Sequence, residues 1–150
     1  MGTDIGRPCC PIGGTVQVPG LGCGALIERN GKILLIKRLK APEAGHWSFV
    51  GGKFDFGETS RAALIREVWE EVGVTVQLGD LALLVETSHI EGQHWVSPVY
   101  HAKIISGEPQ NLEPDKIGAV GWFTLDALPT PLAQAVLQVL NPQKPGLYPS

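Results

Sequence analysis

Residues 52–74 read GKFDFGETSRAALIREVWEEVGV. The period inside this stretch predicts a helix. Thr59 or Ser60 supplies a capping oxygen, Arg61, Ile65, Val68 and Val72 follow on one face, and Gly73 is the C-terminal stop. Glu67, Glu70 and Glu71 stand at i, i+3 and i+4, so they share a face. Three carboxylates so spaced repel one another, and only Arg66 is near to offset them. A single helical glutamate is ordinarily a solvated surface group. The set makes chemical sense if divalent cations sit against it, because Mg²⁺ takes oxygen ligands from one or two carboxylates, waters and substrate phosphates. Just upstream, the Gly51–Gly52 pair lets the backbone come close and offer a carbonyl oxygen. Arg38 and Lys53 flank that turn as candidate holders of phosphate oxygens.

Outward from this segment the chain reads mainly as strands. Residues 21–28 and 32–38 flank Asn30 and Gly31, and Asn-Gly between two apolar runs is the strongest short hairpin signal. A short strand is expected at 47–50, ending in the glycine pair. After the helix, strands are expected at 74–78, 82–90, 94–105 and 118–125, with a turn at Glu91 and Gly92. Thr130 and Pro131 suit a second helix start, with Leu132, Val136 and Leu140 as its buried stripe. Strands interrupted by two separate helices predict an α/β fold, a mixed sheet covered on both sides. Residues 1–20 hold five Gly and three Pro and are expected to form a flexible arm, with 16–18 as a candidate edge strand. Residues 21–140 form the expected domain and 141–150 an irregular tail.

Composition bounds the function. A chain of 150 residues with 43% hydrophobic and 18% charged residues matches one ordinary domain. Its longest apolar run, residues 81–85, is far below the roughly 18 residues of a membrane span. Residues 1–14 hold no apolar h-region, so a secretory signal is not expected, and Gly6 breaks the myristoylation pattern. A formal charge of −3 without a basic stripe disfavours a nucleic-acid polymer as partner. The three cysteines, Cys9, Cys10 and Cys23, lack zinc spacing and read as reduced thiols of a cytoplasmic protein. His46, His89, His94 and His101 lack the i, i+4 spacing of a helical zinc pair.

The central segment matches Gly-x5-Glu-x7-Arg-Glu-U-x-Glu-Glu-x-Gly-U, with U a bulky aliphatic, at every specified position. Gly52, Glu58, Arg66, Glu67, Val68, Glu70, Glu71, Gly73 and Val74 fill it. From average residue usage a chance match is on the order of 10⁻⁷ or rarer. The sequence resembles the Nudix hydrolase family, and the segment looks like an intact Nudix box. The likeness runs from about residue 20 to 140; Val50 departs from the family's frequent Pro before the glycine pair. The resemblance implies an α/β/α sandwich around a mixed sheet, with the box as loop–helix–loop. It also implies hydrolysis of a diphosphate linked to another moiety, commonly a nucleoside. Carried over residue by residue, Glu67, Glu70 and Glu71 become Mg²⁺ ligands, for which Mn²⁺ is also suited. Glu67 is in addition a candidate to activate water, and Arg66 orients it. Gly51 offers a carbonyl to the metal, Glu58 supports the loop or a metal-bound water, and Gly52 and Gly73 are geometric. Metal ions then neutralise the phosphates and acidify a bound water.

The family often adds one more acid from a loop after the central strands, and here Glu108 and Glu113 are the candidates. Glu113-Pro114-Asp115-Lys116 is similar to a Glu-Pro-x-Lys stretch of MutT-like nucleoside triphosphate pyrophosphatases. That resemblance makes Glu113 a candidate metal ligand or accessory base. Trp47, Phe49, His89 and Trp95 are unranked candidates for base or ribose contacts. Gln134, after Pro129, is a candidate reader of a base edge. The box lacks the downstream Pro of ADP-ribose hydrolases and the Tyr of dinucleoside polyphosphate hydrolases. The implied activity is therefore Mg²⁺-dependent hydrolysis of a nucleoside (deoxy)triphosphate to monophosphate and pyrophosphate. The alternative is another nucleoside diphosphate-linked compound, such as a nucleotide sugar, ADP-ribose or a modified nucleotide. The partner is a small-molecule nucleotide, with no membrane; relatives of this kind often form homodimers.

Overall fold

Asn30 and Gly31 turn the chain with φ of 54° and 75°, the left-handed pair that a two-residue hairpin requires. They join β1 (Gly20–Arg29) to β2 (Lys32–Arg38). The computed structural model describes residues 17–141. Cys9, Cys10, Val16 and most of the expected arm and tail lie outside the described residues; Gln17 and Val18 make no strand. The chain continues through β3 (Trp47–Ser48), β4 (Val50–Lys53), α1 (Ser60–Val72), β5 (Thr75–Ile90), β6 (Gln93–Ser106), β7 (Ile117–Thr124) and α2 (Gln134–Leu140).

The seven strands run β3-β2-β1-β6-β5, with β4 paired to β1 and β7 to β2. The sheet is mixed: β1 and β6 are parallel, and the remaining pairs are antiparallel. Strand period 2 sorts the core into two layers. Ala25, Ile27, Leu34 and Ile36 point to the α1 side, where Leu64, Val68 and Val72 meet them. Leu26, Ile33 and Leu35 point to the other side, where Val136 of α2 is buried. Trp122 and its neighbour Phe123 split between these two layers in the same way. Leu64 is fully buried, so Leu64→Ala is expected to cost about 2–5 kcal/mol, read as a lower denaturant midpoint.

Four local expectations are corrected. The buried face of α1 is Ala63, Leu64, Val68, Glu71 and Val72. Ile65 is 40% exposed, and Arg61 bonds outward to the Gly79 carbonyl at 2.8 Å. The stripe is rotated because Ala63 packs closely on the sheet and Glu71, although ionisable, finds a hydrogen-bond partner in the Gly51 N–H. The strands expected at 74–78 and 82–90 are one strand, β5, with register irregularities around Leu81; Gly79 and Asp80 sit in that irregular stretch rather than in a break. Sheet pairing does not stop at the glycine pair, because β4 carries Gly51 and Gly52 alongside β1. Finally, α2 starts at Gln134. The Trp47 N–H donates to the Pro131 carbonyl and the Ala133 N–H to the Trp47 carbonyl, both at 2.9 Å, which keeps residues 131–133 extended beside β3. Leu132 and Leu140 still pack with Val136, as expected.

Candidate active site

Gly51 and Gly52 are both closely approached by other groups. Gly51 stands opposite Gly24 in the β1–β4 pair, and a Cβ there would collide with the backbone carbonyl oxygen of Cys23. A Cβ on Gly52 would sit 2.5 and 2.6 Å from the two carboxylate oxygens of Glu67. The Gly51 N–H donates to Glu71 Oε1 at 3.0 Å, and the Gly52 carbonyl accepts from Cys23 Sγ at 3.5 Å. The sheet edge is thereby pressed against the acidic face of α1.

The helix itself begins where Thr59 Oγ1 accepts from the Ala62 N–H at 3.1 Å. It ends at Gly73, whose φ is 75°. From its inner turn Arg66 makes five hydrogen bonds to four groups. Its Nε and one terminal nitrogen grip both oxygens of Glu58 at 2.8 Å. The other terminal nitrogen donates to Glu67 at 3.2 Å and Glu70 at 3.1 Å. The Lys53 carbonyl accepts at 3.2 Å. Glu58 also accepts from the Asp55 N–H at 2.8 Å, so it braces the loop. The Arg66 fork, helped by that N–H, holds the Glu58 carboxyl down at about 2. A lysine cannot reproduce the planar fork. Arg66→Lys is expected to lower turnover by about 10–100-fold, with kcat as the readout.

Glu113 arrives from the loop between β6 and β7. That loop is tied to the end of α1, since the Gln110 N–H donates to the Val72 carbonyl and the Leu112 N–H to the Glu71 carbonyl, both at 3.0 Å. Glu113 faces the same cavity as Glu67 and Glu71. The other candidate acid, Glu108, is elsewhere: Arg29 holds it in a fork at 2.7 and 3.1 Å. Glu70 is more exposed and does not line the cavity. Among the described residues no three acidic, His or Cys side chains are already closed into a metal cage.

The carboxyls of the cluster crowd one another in a partly buried place. Burial, against the pull of the Gly51 N–H and with the charges of Glu67 and Glu113, pushes Glu71 up to about 8. Burial also raises Glu67, against the pull of Arg66. A carboxyl raised in the folded state contributes most below its ordinary value of 4.5 and loses that contribution as pH climbs through about 8. Metal-free protein is therefore expected to melt at progressively lower temperature from pH 5 to pH 9. Mg²⁺ should flatten that slope, and Glu71→Gln should reduce it. Glu58 has the opposite sign, but its contribution is lost only as pH falls toward about 2, outside this window. Thermal melts in EDTA and in Mg²⁺ check the point.

A cavity of about 670 Å³ opens beside these acids. Lys53, Lys116 and Arg38 line it. Arg38, however, spends its guanidinium on the loop carbonyls of Pro42 at 2.7 Å and Lys40 at 3.2 Å, so it shapes the cavity wall. From β5 and β6 come the neutral polar Thr87, Gln93 and Ser97, with Trp95. Phe49 and Trp95 line the cavity, whereas Trp47 and His89 do not; Trp47 instead meets Phe123 edge-on at 5.0 Å. Gln134 is also not in the lining. Its N–H binds Glu43 at 2.9 Å, and Ala135 is the α2 residue that faces the cavity. Cys23, Thr87, Gln93 and Ser97 also line the cavity, although none was a sequence candidate for the site; alternation along the strands was the available signal, but it does not say which face carries a cavity.

The NUDIX domain model matches residues 18–141. The chain is 35% identical over 123 residues to the CTP pyrophosphohydrolase of Escherichia coli (strain K12), covering 78% of this chain and 85% of that protein. It is 34% identical over 134 residues to the NAD-capped RNA hydrolase NudC of Pseudomonas aeruginosa (strain LESB58), covering 83% of this chain but only 44% of that protein. The crystal structure of a MutT NUDIX hydrolase from Burkholderia pseudomallei superposes with a TM-score of 0.80 at 46% identity, over 85% of this chain and all (100%) of that one. No helix among the described residues is long and apolar enough to cross a membrane. With the box helix, its glycine approach and a mixed sheet between two helices all in place, the chain belongs to the Nudix family of hydrolases, which act on pyrophosphate bonds.

Proposed function

We propose that the protein hydrolyses a nucleoside (deoxy)triphosphate to the monophosphate and pyrophosphate, with Mg²⁺. The observation that carries this reading is the meeting of Glu67, Glu71 and Glu113 with Lys53 and Lys116 around one cavity. The donor set fits a hard divalent cation: every side-chain donor is a carboxylate oxygen, and Glu67 and Glu71 are both disfavoured as anions by burial. Gly51, Glu67, Glu70, Glu71 and Glu113 are the residues that would hold it. When bound, Mg²⁺ supplies charge neutralisation at the phosphates and acidifies water. The rest belongs to the chain. Lys53 and Lys116 draw in phosphate oxygens. Arg66 fixes the Glu67 carboxylate, which accepts the proton of the attacking water. The new P–O bond forms as the phosphoanhydride bond between the α and β phosphates breaks, and monophosphate and pyrophosphate separate.

A second reading, cleavage of a diphosphate joining a nucleoside to another group, is favoured by the likeness to NudC. A turnover panel separates the two. Purified protein with Mg²⁺ meets each NTP and dNTP, ADP-ribose, a dinucleoside tetraphosphate and a nucleotide sugar, beside an EDTA control. Monophosphate plus pyrophosphate from triphosphates alone supports the first reading. Cleavage restricted to the joined diphosphates overturns it in favour of the second.

A further inference from the structure

We propose that Asn111 is a positioning residue that holds Glu113 against the acidic face of α1; this rests on the reading above, in which Glu113 serves the site. Two N–H donors of its loop, those of Gln110 and Leu112, satisfy carbonyls of the last turn of α1 at 3.0 Å. Such terminal carbonyls have no donor within their own helix. Leu112 then lies over Gly73, close enough that a Cβ on the glycine would meet its Cδ1 at 3.0 Å. The loop is thus anchored on both sides of Asn111, and Glu113 follows directly.

Asn111 closes the remaining gap with both ends of its carboxamide. Nδ2 donates to the Ile117 carbonyl at 2.7 Å, and Oδ1 accepts from the Glu113 N–H at 3.1 Å. Ile117 is the first residue of β7 and only 1% exposed, so it is a rigid post. The Lys116 and Ile117 N–H groups donate in turn to the Glu113 carbonyl, each at 2.9 Å. Residues 113–117 therefore form a closed turn, with Asn111 as its crosspiece. One short side chain must donate and accept at once. Aspartate has no donor, and alanine has neither function.

The test is a double-mutant cycle with Glu113→Ala, read by kcat and by Mn²⁺ affinity from electron paramagnetic resonance, with melting temperature as the fold control. Asn111→Ala is expected to lower both kcat and Mn²⁺ affinity by about 10–100-fold, and Asn111→Asp to follow it. In the Glu113→Ala background the same substitutions should change either readout by less than about 2-fold, because residues that act through one another are non-additive. Full multiplication of the two losses, or an Asn111→Ala variant with unchanged kcat and Mn²⁺ affinity, overturns the proposal. If Glu113→Ala alone leaves both readouts at wild-type values, Glu113 is not part of the site and the proposal falls with it. Failure of the triphosphate reading shows separately, as wild-type protein that binds Mn²⁺ but turns over no triphosphate.

Discussion

Glu67→Gln is expected to lower kcat by about 10²–10⁴-fold, the usual worth of a positioned proton acceptor, while the protein stays folded. The substitution keeps the shape of the side chain and its place over Gly52. It removes the negative charge and the basic oxygen. Its neighbour Arg66 keeps Glu58 and Glu70 as partners, so the loop remains braced. Burial already disfavours the Glu67 anion, so loss of that charge does not cost the metal-free fold. Product analysis at saturating substrate and a melting curve check both halves. A variant that keeps more than about a tenth of wild-type kcat would remove Glu67 from the role of proton acceptor.

The second large effect separates two adjacent glycines. Gly51→Ala drives a methyl into the Cys23 backbone. Two paired strands cannot give way locally, so the loss is in stability, about 1–3 kcal/mol or more. Gly52→Ala meets only the far end of a side chain, the Glu67 carboxylate. That group can swing aside, so stability should change little. The displaced carboxylate is then wrongly placed, and a shift of about 1 Å in a reacting group costs about 10²-fold in rate. Denaturation curves and kcat should therefore rank the two variants in opposite orders. Equal losses of stability would mean that Glu67 is held too rigidly to move.

The reach of the sequence differs from element to element. The hairpin at Asn30 and the stop at Gly73 were legible because each depends on a few adjacent residues and a left-handed backbone angle that few residue types adopt; the cap was legible to within one residue, Thr59 or Ser60, from its side-chain oxygen, and the structure uses Thr59. The family was legible for a different reason: nine chemically specified positions within 23 residues leave little room for chance. The face of α1 was misjudged because Glu71 is polar in composition but buried in place. Only the Gly51 N–H, brought over by β4, makes that burial tolerable. The start of α2 was misplaced because Pro131 is a good first residue of a helix in isolation, and β3 competes for the same backbone groups.

The sequence by itself determined the box, its acids, the local turns and the mixed α/β class, since these are properties of neighbouring residues and of periodicity. The tertiary structure alone decided which loop acid joins the cluster. Glu108 and Glu113 are five residues apart and alike in charge. One is captured by Arg29 of β1, and the other is delivered to the cavity by a loop tied to the end of α1. It also decided that Arg38 braces a loop, that Gln134 does not line the cavity, and that Asn111 staples Glu113. Each of those outcomes depends on hydrogen-bond partners far away in the chain, and local sequence carries no record of which distant backbone group will arrive.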